Sequence, residues 1–87
     1  MAITSGQTTV GTTPIGINGS SSNPSRLHVH NNDNTKTLFL GGSDVSITNG
    51  LALQKLDSIE LTLNAGEALY AISASGDHIV SWLRQTF

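Results

Sequence analysis

The sequence contains no cysteine, so neither a disulfide framework nor a thiolate metal site can hold the chain together. Charge is almost as scarce: four Lys or Arg and six Asp or Glu in 87 residues leave a formal net charge of −2. That balance offers no basic face to nucleic acid and no polybasic anchor to a membrane, so neither partner is expected. No apolar run approaches membrane-spanning length. The opening Met-Ala-Ile-Thr-Ser-Gly lacks the basic start and the apolar core of a secretory signal, and synthesis as a soluble chain in a cytoplasm is expected. Aromatic residues are limited to Phe39, Tyr70, Trp82 and Phe87. Tyr70 and Trp82 fall in the two most apolar segments and read as core rather than as sugar-stacking platforms.

What fills the chain instead is Ser, Thr and Asn, together 28 of the 87 positions, with nine Gly. Hydroxyls and amides without Glu and Lys make poor solvated helix faces, so the composition favours an all-β domain. Twenty-six residues are large and apolar, a modest core for one small domain that has no covalent staple. Surface supplied by other chains is therefore expected to complete it, as a homo-oligomer or a docked subunit.

Turn residues recur at Asn18-Gly19, Asn31-Asn32, Gly41-Gly42, Asn49-Gly50, Asn64-Ala65-Gly66 and Ser75-Gly76. This is the rhythm of short strands in a sandwich or barrel. Between the turns the pattern has period two. Leu27 and Val29 share one face of residues 26–30, opposite Arg26, His28 and His30. Leu38 and Leu40 share a face of residues 37–40. Ile59, Leu61 and Leu63 point inward from Ser58–Leu63, with Ser58, Glu60 and Thr62 outward. Residues 67–73 and 77–85 are apolar on both faces in part, as central strands or strands covered by a neighbour are. Shorter strands are expected at 45–47 and 51–54. A helix over 51–63 would match Leu53, Leu56 and Leu63, but the strict alternation after Asp57 favours a strand. The fold class is thus a single antiparallel β-sandwich or jelly-roll-like domain of seven to eight short strands.

Residues 1–13 are Thr-, Gly- and Ser-rich with isolated Ile3 and Val10, and 19–25 form a Ser-rich loop closed by Pro24. Two readings stand for the start of the chain. One is a frayed terminus followed by an edge strand over 9–17, where Pro14 is tolerated. The other is an arm that crosses onto a neighbouring subunit. The chain accordingly divides into an arm or edge segment, 1–13, and a β-sandwich domain, 14–87. Ile3 and Val10 of that segment are interface candidates. Phe39 joins them because its parity is opposite to that of Leu38 and Leu40, and Phe87 because it is the last residue.

Chemistry is sparse. His28 and His30 share a strand face and could turn both imidazoles to one ion, with a third ligand from His78, Glu60 or Asp77. Two solvent-facing His on a half-buried strand explain the pair without a metal, and no cofactor is expected. Among eleven Ser and three His some Ser–His–acid grouping in space is nearly unavoidable, so its presence carries no weight. No G-x-S-x-G elbow occurs, Gly41-Gly42-Ser43 lacks the Lys of a phosphate loop, and the acids are scattered singly. An enzyme is not expected.

The run Val10-Gly11-Thr12-Thr13-Pro14, Arg26-Leu27-His28-Val29-His30-Asn31, Leu38-Phe39-Leu40-Gly41-Gly42 continues in Val45 and Thr48-Asn49-Gly50-Leu51-Ala52-Leu53. It ends in Gly66-Glu67-Ala68-Leu69-Tyr70-Ala71-Ile72-Ser73-Ala74-Ser75-Gly76. In strand rhythm and turn residues this resembles the small β-sandwich virion proteins encoded among the structural genes of tailed bacteriophages, over roughly residues 10–83. The resemblance implies a structural role in the virion and brings no catalytic residues. It implies capsid decoration: a protein on the outer capsid surface that bridges copies of the major capsid protein, with a trimer favoured. A tail-tip or fibre domain that recognises a host-surface glycan is the alternative. An ordinary cellular β-sandwich interaction domain comes third.

Overall fold

The alternation is realised in a computed structural model that describes residues 2–17, 22–76 and 78–87. Eight strands follow in order: β1 (Ala2–Val10), β2 (Ile15–Gly16), β3 (Ser25–Asn31), β4 (Leu38–Gly41), β5 (Leu51–Leu53), β6 (Ser58–Leu63), β7 (Tyr70–Ser73) and β8 (His78–Thr86). Met1, the Asn18-Gly19 turn, the start of the Ser-rich loop and Asp77 lie outside the described residues.

The strands pair antiparallel in a nested pattern, β1 with β8, β2 with β7, β3 with β6 and β4 with β5. Such nesting is one long hairpin with its tip between β4 and β5. Winding it up adds the β3–β8 and β4–β7 ladders and divides it into two four-stranded sheets, β1-β8-β3-β6 and β2-β7-β4-β5. This is the jelly-roll form of a β-sandwich. The two segments apolar on both faces, which became β7 and β8, are interior strands as expected. Val10, Leu27, Val29, Leu63 and Val80 from the first sheet meet Leu38, Leu40, Leu53 and Ala71 from the second, with Ile17 and Leu69 beside them. Residues 51–63 are two strands and a turn, not a helix.

Two expectations change, that for 9–17 and that for 45–47. The edge strand placed over 9–17 is two strands in different sheets. Pro14 has no N–H to offer a ladder, and the chain crosses from one sheet to the other over Gly11–Pro14, where Gly11 accepts the N–H of Ser73 at 2.9 Å. Within the segment set apart as 1–13, Ala2–Val10 pairs with β8 over nine residues and is an edge strand of the same sandwich. The strand expected at 45–47 is a loop. Asn49 Oδ1 takes the N–H of Ser46 at 2.7 Å, and Gly50 N–H reaches Ser46 O at 2.9 Å, so local bonds replace a ladder.

That loop folds over the outer face of the second sheet. Val45 is 3% exposed although it stands outside the central cluster. Its side chain lies against Gly41 and Gly50, and Gly50 in turn lies against Phe39. A Cβ on Gly50 would stand 2.8 Å from the Phe39 Cβ and 3.0 Å from Ser46 O, closer than packed atoms tolerate. Gly50→Ala is therefore expected to destabilise the fold by about 1–3 kcal/mol, read as a lower midpoint in urea unfolding. An unchanged midpoint would show that the loop yields freely.

Candidate functional site

Register across the first sheet lays out its outer face row by row. Ile3, Gln85, Arg26 and Thr62 form one row; Ser5, Leu83, His28 and Glu60 the next; Gln7, Ser81, His30 and Ser58 the third; Thr9 and Ile79 begin the fourth. The opposite parity of the same strands carries Val10, Leu27, Val29 and Val80 into the core, which is why these side chains face away from it. Nothing in the described chain covers this face. Ile3, Leu83 and Ile79 stand on it 67%, 47% and 44% exposed among mostly neutral polar groups.

A hydrogen-bonded line crosses three of its strands. His30 Nδ1 meets Asn32 Oδ1 at 2.8 Å, Asn32 Nδ2 donates to Ser81 Oγ at 2.7 Å, and Gln7 Nε2 reaches Ser81 Oγ at 3.5 Å. An amide oxygen only accepts, so the proton of His30 sits on Nδ1. Two depressions open on this face. The larger, about 310 Å³, is lined by Gln7, Asn32, Asp33 and Ile79. The smaller, about 110 Å³, is lined by Arg26, His28, Glu60, Leu83 and Gln85.

His28 and His30 share this face, and Glu60 stands opposite His28 on β6, but the proposed ligands do not gather around one ion. His78 points to the core from β8, and Glu60 is held 3.7 Å from Arg26 in an ion pair. Asp77 lies outside the described residues. Among those described, no three His, Cys, Asp or Glu cluster as a metal site would require.

The four interface candidates separate. Ile3 is on the open face. Val10 is 0% exposed and belongs to the central cluster, so it is corrected from surface to core: its even parity on β1 matches that of His78 and Val80 on β8. Phe39 is half-buried beside Gly50 and so is not an open aromatic platform. Phe87 is 47% exposed; its N–H is tied to Pro24 O at 2.9 Å, and the Arg26 guanidinium lies 5.9 Å from its ring centroid.

A buried polar group with many partners was not singled out from the sequence. Asn31 is fully buried, its Nδ2 aimed at the carbonyls of Lys36, Leu53 and Gln54 at 3.0, 3.2 and 3.1 Å. Its Oδ1 accepts the Asp33 N–H at 3.0 Å and a proton from His78 Nε2 at 2.6 Å. With that proton on Nε2, neutral His78 accepts the Ser73 hydroxyl at Nδ1, 3.1 Å away, and Ser73 Oγ accepts the Ser75 N–H at 3.3 Å. The signal was available: Asn31 continues the inward parity of Leu27 and Val29. Ser73, His78 and Asn31 have the order of a hydrolase triad, yet they are 2%, 0% and 0% exposed, and Ser73 Oγ has no path to a substrate. Their chemistry is structural: they join the end of β3 and β8 to β5 and β7 of the other sheet.

Burial pushes the His78 pKa below its ordinary 6.5; the Asp33 carboxylate opposes this, and the Lys36 ammonium adds to it. Asp33 is itself lowered, chiefly by the Thr35 N–H and hydroxyl and with help from the Lys36 N–H, at 2.7, 2.8 and 2.9 Å.

Two outcomes follow. Asn31→Ala strands His78 Nε2–H, the Asp33 N–H and buried carbonyls, and is expected to cost about 3 kcal/mol or more in denaturant unfolding. For pH, a histidine whose folded pKa is depressed binds more protons when unfolded. The stability it confers is complete above about pH 6.5 and is lost as pH falls toward the folded pKa. Tm should therefore decline on acidification below that point, with a shallower slope in His78→Gln; equal slopes would remove His78 as the cause.

No protein-family model and no curated protein matches the sequence. Among solved structures, the chain is similar to one described under "Bacillus endospore appendages form a novel family of disulfide-linked pili", with a TM-score of 0.61 and 12% identity. The likeness covers 99% of this chain and 86% of that one. At that identity it establishes the fold: an all-β sandwich of two antiparallel sheets.

Proposed function

We propose that this chain is a non-enzymatic building subunit that decorates the outer surface of a phage capsid and bridges copies of the major capsid protein. The observation that carries the reading is the open outer face of the first sheet. Ile3, Leu83 and Ile79 are exposed there among neutral amides and hydroxyls, with Arg26 and Glu60 already paired to each other. A surface poor in unpaired charge loses little by being dehydrated against another protein, and apolar anchors gain from it. The resemblance in strand rhythm to small virion proteins supports the capsid as the partner. The closed Ser73–His78–Asn31 cluster supports a role without catalysis. Many copies on one lattice turn modest contacts into a large collective stabilisation.

A second reading, a subunit of an extracellular filament, is favoured by the fold likeness to the spore-appendage pilus. That pilus is disulfide-linked, whereas this chain has no cysteine, so a filament of it would be held by non-covalent contacts. The glycan-binding alternative draws on the hollow between Gln7, Asn32, Asp33 and Ile79, but half-buried Phe39 gives it no stacking platform.

Purified protein mixed with capsids lacking it and with host cells should bind the capsids. Leu83→Glu and Ile79→Glu should each weaken that binding about tenfold or more with an unchanged β circular-dichroism signal. Binding to cells but not capsids would overturn the reading in favour of host recognition.

A further inference from the structure

β1 differs from the other sheet edges. β2 has two residues, β5 has three, and β6 carries Glu60 in its ion pair with Arg26. Short length and charge are the usual means of keeping an edge from pairing with another chain. β1 has neither. It runs for nine residues, Ala-Ile-Thr-Ser-Gly-Gln-Thr-Thr-Val, with no charged residue and no proline. Its register with β8 is unbroken from Ala2 opposite Thr86 to Val10 opposite His78, so no bulge turns the edge aside. On the free side, every second residue holds its N–H and C=O away from β8, ready for another strand.

Trp82 adds a second, independent observation. It faces the core side of β8 opposite Gly6, and a Cβ on Gly6 would stand 2.7 Å from its Cζ2 and 3.4 Å from its Cη2. The indole thus lies under β1 at its one glycine, with Nε1 donating to Thr8 Oγ1 at 3.2 Å. Although it packs against the central cluster, Trp82 is only partly buried. β1 is the last strand of the sheet, and among the described residues no further strand stands beyond it to cover the ring.

We propose that β1 pairs antiparallel with β1 of a second copy of this chain, about a two-fold axis through Gly6. An axis perpendicular to the sheet keeps inner residues with inner and outer with outer. It sets Thr4 against the partner's Thr8 on the core side. On the outer face it sets Ile3 against the partner's Thr9, and Ser5 against the partner's Gln7. Hydroxyl, amide and β-branched side chains meet, and no like charges oppose each other. The two first sheets become one sheet of eight strands, with both Trp82 rings near the axis, where paired glycines leave room for them. A second copy is the occupant because the strand is complementary to itself in this register, and a contact of this kind closes at two.

The inference goes beyond the capsid role, and it is tested on the purified chain alone, so the two fail separately. Sedimentation should give twice the 9.1 kDa chain mass at high concentration and the single mass on dilution. The emission of Trp82, the only tryptophan, should shift to the red over the same range. Ser5→Lys with Gln7→Lys changes two exposed outer-face residues and sets lysines against lysines across the axis. It should raise the dissociation constant about tenfold or more while leaving the β circular-dichroism signal intact. Because the chain is cysteine-free, Ser5→Cys mixed with Gln7→Cys should oxidise to a mixed dimer, with little product from either alone. A single-chain mass at every concentration, a dimer indifferent to the lysines, or equal cross-linking of each cysteine variant with itself would overturn the proposal.

Discussion

The two sheets are tied at one end through a single buried amide. Asn31 offers its nitrogen to three carbonyls around β5 and the 32–36 segment, and its oxygen to His78 and to the backbone of Asp33. Much else depends on that arrangement. It sets the protonated nitrogen of His78, and through it the direction of the Ser73 hydroxyl bond. It also starts the turn in which Asp33 collects Thr35 and Lys36. Because Asn31 is directed inward, its neighbour Asn32 emerges on the opposite face, where it binds Ser81 and His30. The inner bridge and the outer polar line are consecutive residues, the last of β3 and the one that follows it.

This division assigns the two faces of the first sheet different work. On the inner face the Asn31 amide and the His78 imidazole are bonded to each other and, through the Ser73 hydroxyl, to the second sheet; all three are shut away from solvent, so they stabilise and do not react. The outer face keeps its capacity, with apolar side chains exposed beside hydroxyls and amides. The second sheet does not offer the same surface, because the loop carrying Val45 lies over part of its outer side. The proposed capsid contact draws on the open sheet face and the proposed pairing of copies on the long edge strand.

Much of this was legible in the chain. The alternation of Ser58–Leu63, the inward Leu27 and Val29, and the two-faced apolarity of β7 and β8 were read from period and composition, because a strand's pleat depends only on neighbouring residues. Residues 45–47 misled because Val45 and Ile47 have strand character while the competing bond comes from Asn49, a side chain with no part in the alternation. The start of the chain was ambiguous for another reason. Ala2–Val10 has few large apolar side chains, and what holds it is β8, some seventy residues away, whose pairing no local pattern announces. Asn31 was passed over because a polar residue at an inward position reads as a strand end until its partners are known.

The sequence by itself determined the class: cysteine-free, weakly charged, all-β, without a recognisable catalytic or phosphate-binding motif. These follow from residue types and their spacing, which act over a few residues. Only the tertiary structure decided that Val10 is core, that Phe39 lies against the Val45 loop, that His78 and Asn31 meet across 47 positions, and that β1 is left as an open edge. Each depends on which distant segments become neighbours. That is settled by the burial and hydrogen bonding of the whole chain together, not by any stretch of it alone.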